Sequence, residues 1–543
     1  MNRAGQFFSK IHKAASAARL SSLAARVIGY SKKPGGEPGL LMIQIDGLSR
    51  TQMERALKSG KLPFIRSVLK KKSHSIHSMY SGLPSSTPAV QGEIFYGESC
   101  AVPAFGFLNR KSGEMWSMTS AKAAVSVQKK LEKKARSILE GGSAYSDVYN
   151  GGTEKSGFCS PDLGLSPYLQ FYNPLVVLLL VVIHIPTILR TALLLCVELV
   201  LALVDFTRGL ANHEDLSKEV RFIPARVGIC VVLREIITAN VCIDCARGLP
   251  VVHCNLLGYD EQSHRRGPSS TFAHWTLKGI DGAVRRMYQA SQRSDKRSYR
   301  VIIYSDHGQE KTLSYPQIHG TTVQKAVNRL LREQGFRIPS EDPPPEKRPR
   351  EKELMRRFFT AMVSSHHLRS VNRGLRVVSV GPVGHIYLPG RPGGGGMDRL
   401  GELLVRKCGI PLVMAKRRDG AVKVWNRRGE FMLPRDRAEV FGADHPFLKE
   451  LAGDFIKLMH HEDSGDFVIN GWDPVHHPIS FPSENGAHAG PGREETHGFV
   501  ILPADSPFVG KKYLRPADLR RNVLHFIEAR ERSSGGKIRS IFC

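Results

Sequence analysis

Three short apolar runs in this chain each lead to a carboxylate, and that repetition restricts the fold more than any other feature. Leu40–Ile45 runs into Asp46, Val251–Leu257 is followed by Asp260, and Val301–Tyr304 precedes Asp306. Runs of this length, bounded by turn-forming residues, are the pattern of buried strands. An open, mainly parallel α/β sheet collects its functional groups outside the carboxyl ends of such strands. Helical periodicity falls between them, over Gln52–Lys58, Lys122–Leu139 and Ile280–Gln292. Further strands are expected at Val383–Tyr387 and between Val422 and Phe431.

The polar residues at these ends are chemically consistent. Asp46 lies in Ile43-Gln44-Ile45-Asp46-Gly47, Asp260 and His264 in Asp260-Glu261-Gln262-Ser263-His264, Asp306 and His307 in Ser305-Asp306-His307-Gly308, and His488 in Gly486-Ala487-His488-Ala489-Gly490. Carboxylates and imidazoles together suit zinc, with manganese or iron as substitutes, and no thiolate is required. A lone Asp-His-Gly is more often a turn or helix cap than a ligand pair. Four such stretches in one chain are not explained that way. Thr87 stands among them, in Gly82-Leu83-Pro84-Ser85-Ser86-Thr87-Pro88-Ala89. A threonine hydroxyl is a weak nucleophile that a bound cation activates, and a second cation steadies the leaving oxygen of an in-line displacement at phosphorus. Pro88 places Thr87 at a turn into a helix, whose free N–H groups favour phosphate.

In order and wording these motifs resemble the type I phosphodiesterase and nucleotide pyrophosphatase family of the alkaline phosphatase superfamily. The likeness runs from about Leu40 to Pro507 and is poor between roughly Ala121 and Pro250. It implies an alkaline-phosphatase-like, mainly parallel sheet flanked by helices, with a smaller cap domain. Carried over by position, Asp46, Thr87, Asp306 and His307 would hold one divalent cation, and Asp260, His264 and His488 the other. Thr87 would attack phosphorus and become a phospho-threonine that water hydrolyses. Asn109, in Gly106-Phe107-Leu108-Asn109-Arg110, matches the family's phosphate-binding asparagine. His497 is the rival to His488, which sits in the small-residue context resembling the family's final ligand. His319 is expected to be structural or substrate-facing. Sulfatases share the superfamily fold but need a cysteine or serine processed to formylglycine, which Thr87-Pro88-Ala89-Val90 does not supply.

The charge balance is 78 basic residues against 50 acidic ones, or +28. Such a surplus favours a polyanionic partner. No helix-turn-helix, RNA-recognition or zinc-finger signature is present, so specific nucleic-acid binding is not expected and an anionic membrane surface is preferred. The run from Pro174 to Val204 is long enough for one bilayer span, for which about 20 apolar residues suffice. A single crossing would divide Asp46 and Thr87 from the later ligands, so the segment must cross an even number of times or not at all. Its halves, of roughly 15 residues about Pro186–Arg190, are short for spans, which favours a re-entrant hairpin or interfacial helices. A buried helical hairpin is the alternative. Lys129, Lys130, Lys133, Lys134 and Arg136 precede this segment, and Arg208, Lys218, Arg221 and Arg226 follow it, which puts both flanks on the cytoplasmic face. Phe7, Phe8, Ile11, Ala15 and Ala18 lie at helical spacing beside Lys10, Lys13, Arg19 and Arg26, as in a helix lying on lipid or docked within the protein. An odd cysteine count of nine points to a reducing compartment. Cys242-Ile243-Asp244-Cys245 has no second pair with which to make a zinc knuckle.

The expected organisation is a basic amphipathic segment over 1–36 and a first part of the catalytic core over 37–335, with a hydrophobic helical insertion at about 165–240. A cap subdomain over 336–440 follows, then the rest of the core with a C-terminal helix over 441–543. Pro343–Arg350 in the cap region reads as a solvated loop. The favoured function is a metal-dependent phosphodiesterase or nucleotide pyrophosphatase acting on a nucleotide, lipid or polyprenyl-linked phosphate ester at a membrane surface. The alternatives are a phosphotransferase to an alcohol acceptor and an inactive membrane-associated scaffold.

Overall fold

The apolar run at Leu40 lies at the centre of a seven-stranded sheet. Its strands in chain order are β1 (Pro38–Ile45), β2 (His74–Tyr80), β3 (Ser143–Tyr145), β4 (Lys155–Gly157), β5 (Val251–Leu256), β6 (Ser298–Tyr304) and β7 (His497–Pro503). Across the sheet they run β2-β7-β6-β1-β5-β3-β4. β1 pairs in parallel with β5, Leu40 opposite Val251 through Ile45 opposite Leu256, and with β6, Pro38 opposite Ser298. β7 alone runs against its neighbours β2 and β6. The computed structural model describes residues 37–162, 228–336, 376–390, 392–393, 395–506 and 511–533.

Alternation along each strand feeds two cores. Leu41, Ile43, Val252, Cys254, Val301 and Ile303 join one, packed under helices Arg50–Lys58, Arg234–Arg247 and Thr271–Gln292. Leu40, Met42, Val251, Ile302 and Val500 join the other, beneath helices Thr87–Tyr96, Ala121–Glu132 and Pro516–Ser533. Because successive side chains point to opposite faces, a sheet apolar on both must be covered on both. Truncating one of these residues, such as Leu41 to Ala, would cost about 2–5 kcal/mol.

A second sheet of six strands is antiparallel throughout and runs Arg376–Val380, Val383–Tyr387, Phe467–Asn470, Leu412–Lys416, Val422–Asn426, Gly429–Leu433. The expected cap strands are here. The sheet also takes Phe467–Asn470, from the stretch assigned to the final part of the core, because that strand pairs on both sides, with Val383–Tyr387 and Leu412–Lys416. Phe467 and Ile469 face helices Val323–Glu333 and Gly396–Cys408, while Val468 packs toward Leu448–His460.

Several expectations need adjustment. The helix expected over Lys122–Leu139 spans Ala121–Glu132, and the one expected from Ile280 starts at Thr271, where Ser270 caps it by accepting from the Ala273 N–H. The Pro174–Val204 run, the stretch 1–36, Pro343–Arg350 and the basic residues from Arg208 to Arg226 lie outside the described residues. Within 228–240, the described part of the expected hydrophobic insertion, Leu233 and Ile237 are buried in the main core. Among the described residues no helix is long and apolar enough to cross a membrane. The hydrophobic helical insertion is therefore not supported. The seven described cysteines, Cys242 and Cys245 among them, are buried and form no disulfide.

Candidate active site

Each functional stretch begins where a strand of the main sheet ends. Asp46 follows β1, helix Gly258–Arg266 follows β5 with Asp260 and His264 on it, and Asp306 and His307 follow β6. Chain reversal in β7 lets the loop before it, carrying His488, reach the same edge. β2 ends at Tyr80 and leads to Thr87, first residue of helix Thr87–Tyr96, all of which is buried. Ser86, extended at φ −145°, is its N-cap, and Gly97 ends it in the left-handed region.

The candidate ligands gather into two groups that share His307. Asp46, Asp306 and His307 offer atoms within 4.8 Å of one another, and so do Asp260, His307 and His488. Thr87 Oγ1 lies 3.3 Å from His307 Nε2 and donates to Asp46 Oδ1 at 3.5 Å. His307 and His488 stack, with ring centres 3.8 Å apart. His264 stands one step out. Its Nε2 is 3.2 Å from Asp260 Oδ2, its Nδ1 donates to the Gly486 carbonyl at 3.0 Å, and Glu484 lies 3.7 Å away. Gly47 carries the turn after Asp46 at φ +68°, and a Cβ there would collide with Asp260 Oδ1.

Asn109 is elsewhere. It ends the strand Gly106–Asn109, its side-chain Nδ2 donates to Asp463 and its Oδ1 accepts from the Ser112 N–H, and it is not part of the cavity wall at Thr87. His497 bonds Ser78 Oγ at 2.9 Å, and the His319 ring packs on Tyr315. Both stand outside the two ligand groups.

Three residues at the site escaped the sequence reading. Asn255 donates to Asp46 Oδ2 at 2.6 Å, Gln309 donates to the Asp260 carboxylate, and Ser85 accepts from His488 Nδ1 at 2.9 Å through its carbonyl. The signal for Asn255 was a polar residue inside an apolar strand run. Gln309 follows Asp306-His307 closely but is a common surface residue type, and Ser85 offered no distinguishing signal.

Burial and mutual repulsion govern the charges. Asp46 is raised well above the usual carboxylate range by burial and by Asp306 and Asp260, and burial pushes Asp306 up to about 7. Burial lowers His307 to about 4, and burial with the neighbouring His307 lowers His488 to about 3, so both rings are neutral with a free lone pair. At Asp260 burial is outweighed by the facing imidazoles, His264 first, which hold the carboxyl well below its usual range. Asp306 Oδ2 is buried without a hydrogen bond. Crowded buried carboxylates, neutral imidazoles and an orphaned oxygen form a donor set that fits a divalent cation.

The cavity at this centre is lined by Asp46, Thr87, Asp260, His264 and His488 together with Phe105, Val148, Phe158, Leu233, Leu257 and Val380.

Fold and site together define an α/β protein with a buried acid–imidazole centre at the carboxyl edge of a mainly parallel sheet. Residues 234–395 match the family model for type I phosphodiesterase/nucleotide pyrophosphatase, and the chain resembles that family as its motifs led us to expect. Asp260, His264, Asp306 and His307 lie in the matched segment, and the match supports phosphoester hydrolysis as the activity. Among solved structures, phosphonoacetate hydrolase from Sinorhizobium meliloti, in complex with phosphonoformate, is similar at 12% identity and a TM-score of 0.45, over 91% of this chain and 97% of its own. Murine ectonucleotide pyrophosphatase/phosphodiesterase 5 is similar at 10% identity and a TM-score of 0.44, over 90% of this chain and 95% of its own. A search of curated proteins gave no match.

Proposed function

We propose that this chain is a metal-dependent phosphodiesterase or nucleotide pyrophosphatase-like hydrolase that works through a phospho-threonine at Thr87. The observation that carries the reading is the Thr87 hydroxyl within 3.5 Å of both Asp46 and His307. Asp46, Asp306 and His307 would hold one cation, and Asp260 and His488 a second, with His264 completing it from beside Asp260. Zinc suits these donors, with manganese or iron as substitutes. When bound, such cations favour the alkoxide form of the hydroxyl and offset charge on phosphate oxygens.

The chain's own groups do the rest. Thr87 Oγ1, its hydrogen directed at Asp46 Oδ1, loses its proton to water as it bonds phosphorus, and the ester oxygen departs as an alcohol with a proton taken from water. Water then attacks phosphorus, the Thr87 oxygen leaves and recovers a proton, and phosphate monoester or phosphate is released. Asn255 keeps Asp46 turned toward the hydroxyl. Helix Thr87–Tyr96 begins at the nucleophile, and the positive end of its dipole favours an anion there.

The aromatic and aliphatic wall favours an ester whose substituent is apolar or aromatic. With the +28 charge, we place the substrate at an anionic membrane surface on the cytoplasmic face. The reading is tested by elemental analysis of purified protein beside hydrolysis of bis(p-nitrophenyl) phosphate. Two equivalents of metal and turnover lost in Thr87→Ala are expected. Folded, metal-free wild-type protein without turnover would sink it. Sedimentation with phosphatidylserine vesicles checks the membrane placement.

A further inference from the structure

Ala489, immediately after His488, adopts φ +100°, in the left-handed region that a residue with a Cβ avoids. Such a conformation persists only where its surroundings over-determine it, at a cost of order 1–3 kcal/mol. The surroundings here are specific. Ser85 Oγ donates to the Gly490 carbonyl at 2.8 Å and accepts from the Ala489 N–H at 3.1 Å. The Ser85 carbonyl accepts from His488 Nδ1 at 2.9 Å. The Glu495 carboxylate then takes the N–H groups of Gly490 and Gly492, each at 2.7 Å, and lies 3.4 Å from Ser85 Oγ. Glycine at 490 leaves room for this, since a Cβ there would sit 2.8 Å from Glu495 Oε1. Ser85 and Glu495 are fully buried or nearly so.

We propose that Ser85 and Glu495 are positioning residues, a clamp that holds Ala489 in its left-handed turn and so presets the His488 ring for metal. With Nδ1 committed to the Ser85 carbonyl, Nε2 is the nitrogen left to face the site, 3.8 Å from Asp260 Oδ1 and stacked with His307. Fixing the tautomer of a ligand imidazole through its other nitrogen is a general device of metal sites. Because Ser85 is two residues before Thr87, the same bonds tie the nucleophile's loop to the ligand's loop. The inference rests on His488 being a ligand, but the clamp itself is a property of the metal-free protein.

Two measurements test it, on the full chain. The first is the metal-free crystal structure of Ser85→Ala. The clamp predicts that Ala489 leaves positive φ and that His488 Nε2 moves away from Asp260. Unchanged geometry overturns the proposal whether or not the protein binds metal. The second is zinc titration by calorimetry. Ser85→Ala should weaken one of the two zinc sites by about 10–100-fold and spare the other. Adding Ala489→Gly, which removes the penalty of the left-handed turn, should restore most of that affinity. A merely structural role for Ser85 would not be repaired by a glycine at 489, so a double variant no better than the single one refutes the clamp. Should Ser85→Ala fail to fold, Glu495→Gln keeps the volume and one acceptor. It should weaken the same zinc site, and wild-type affinity in that variant refutes the proposal equally.

Discussion

Thr87 Oγ1 lies 3.3 Å from His307 Nε2, and His307 belongs to both groups of candidate metal ligands. The Thr87 hydroxyl therefore sits at the junction of the two groups. Thr87→Ala is expected to abolish turnover, slowing it by at least about 1,000-fold, while bound metal is retained. Mass spectrometry of acid-quenched enzyme should find phosphate on the peptide containing Thr87 in the wild type and not in the variant.

His307 and His488 should serve different cations. Elemental analysis of Asp260→Ala and of His488→Ala is expected to show one equivalent lost, and His307→Ala should lose the other, because its Nδ1 bonds the Gly308 carbonyl and its single free nitrogen, Nε2, faces Asp46 and Asp306. Loss of both equivalents in His307→Ala would contradict this division.

Gly47 is constrained twice, by φ +68° and by Asp260 against the place where a Cβ would go. Gly47→Ala should cost about 1–3 kcal/mol for the backbone alone and displace the Asp260 carboxylate in addition. A lower denaturation midpoint together with weakened binding of one metal is the expected pair of outcomes.

Two buried glutamates should make stability fall as pH rises above neutrality. Burial pushes Glu310 up to about 7, and burial with the nearby Glu310 pushes Glu495 up to about 8. In the unfolded chain both titrate near about 4.3. Between those limits the native state binds more protons than the unfolded state, so unfolding free energy decreases as pH increases. Urea denaturation from pH 7 to 8, above the range in which the buried histidines act with the opposite sign, should show this slope. Glu310→Gln, which keeps an acceptor for the Glu494 N–H, should reduce it.

Asn109→Ala tests a residue that the sequence assigned to phosphate binding. With its side-chain Nδ2 on Asp463 and its Oδ1 on the Ser112 N–H, the loss is expected in stability, about 1 kcal/mol, and not in the rate of turnover. Turnover slowed by about two orders of magnitude or more would return Asn109 to the reaction.

The main sheet was legible because each apolar run carries its carboxylate at its own end, a local pattern that needs no knowledge of partners. Asp46, Asp260 and Asp306 were found that way, and β1, β5 and β6 pair side by side as that pattern requires. The division of ligands was harder to see. His307 stands between both groups and His264 stands outside them because a helix and a turn set those angles, and neither leaves a trace in spacing. Ser85 and Asn255 act through contacts 403 and 209 positions away along the chain. Only pairing of distant strands brings such partners together, so no window of sequence contains both. Asn109 shows the converse, since matching a motif fixes a residue's order in the chain but not where its hairpin points.

The one reversed strand of the main sheet has a consequence for biosynthesis. His488 arrives just ahead of β7 and bonds a carbonyl made 403 residues earlier. A growing polypeptide that has exposed Thr87, and even Asp306, still lacks the last imidazole. Until the segment bearing it emerges from the ribosome, the half-built centre cannot close, and its assembly is deferred to a late stage of translation.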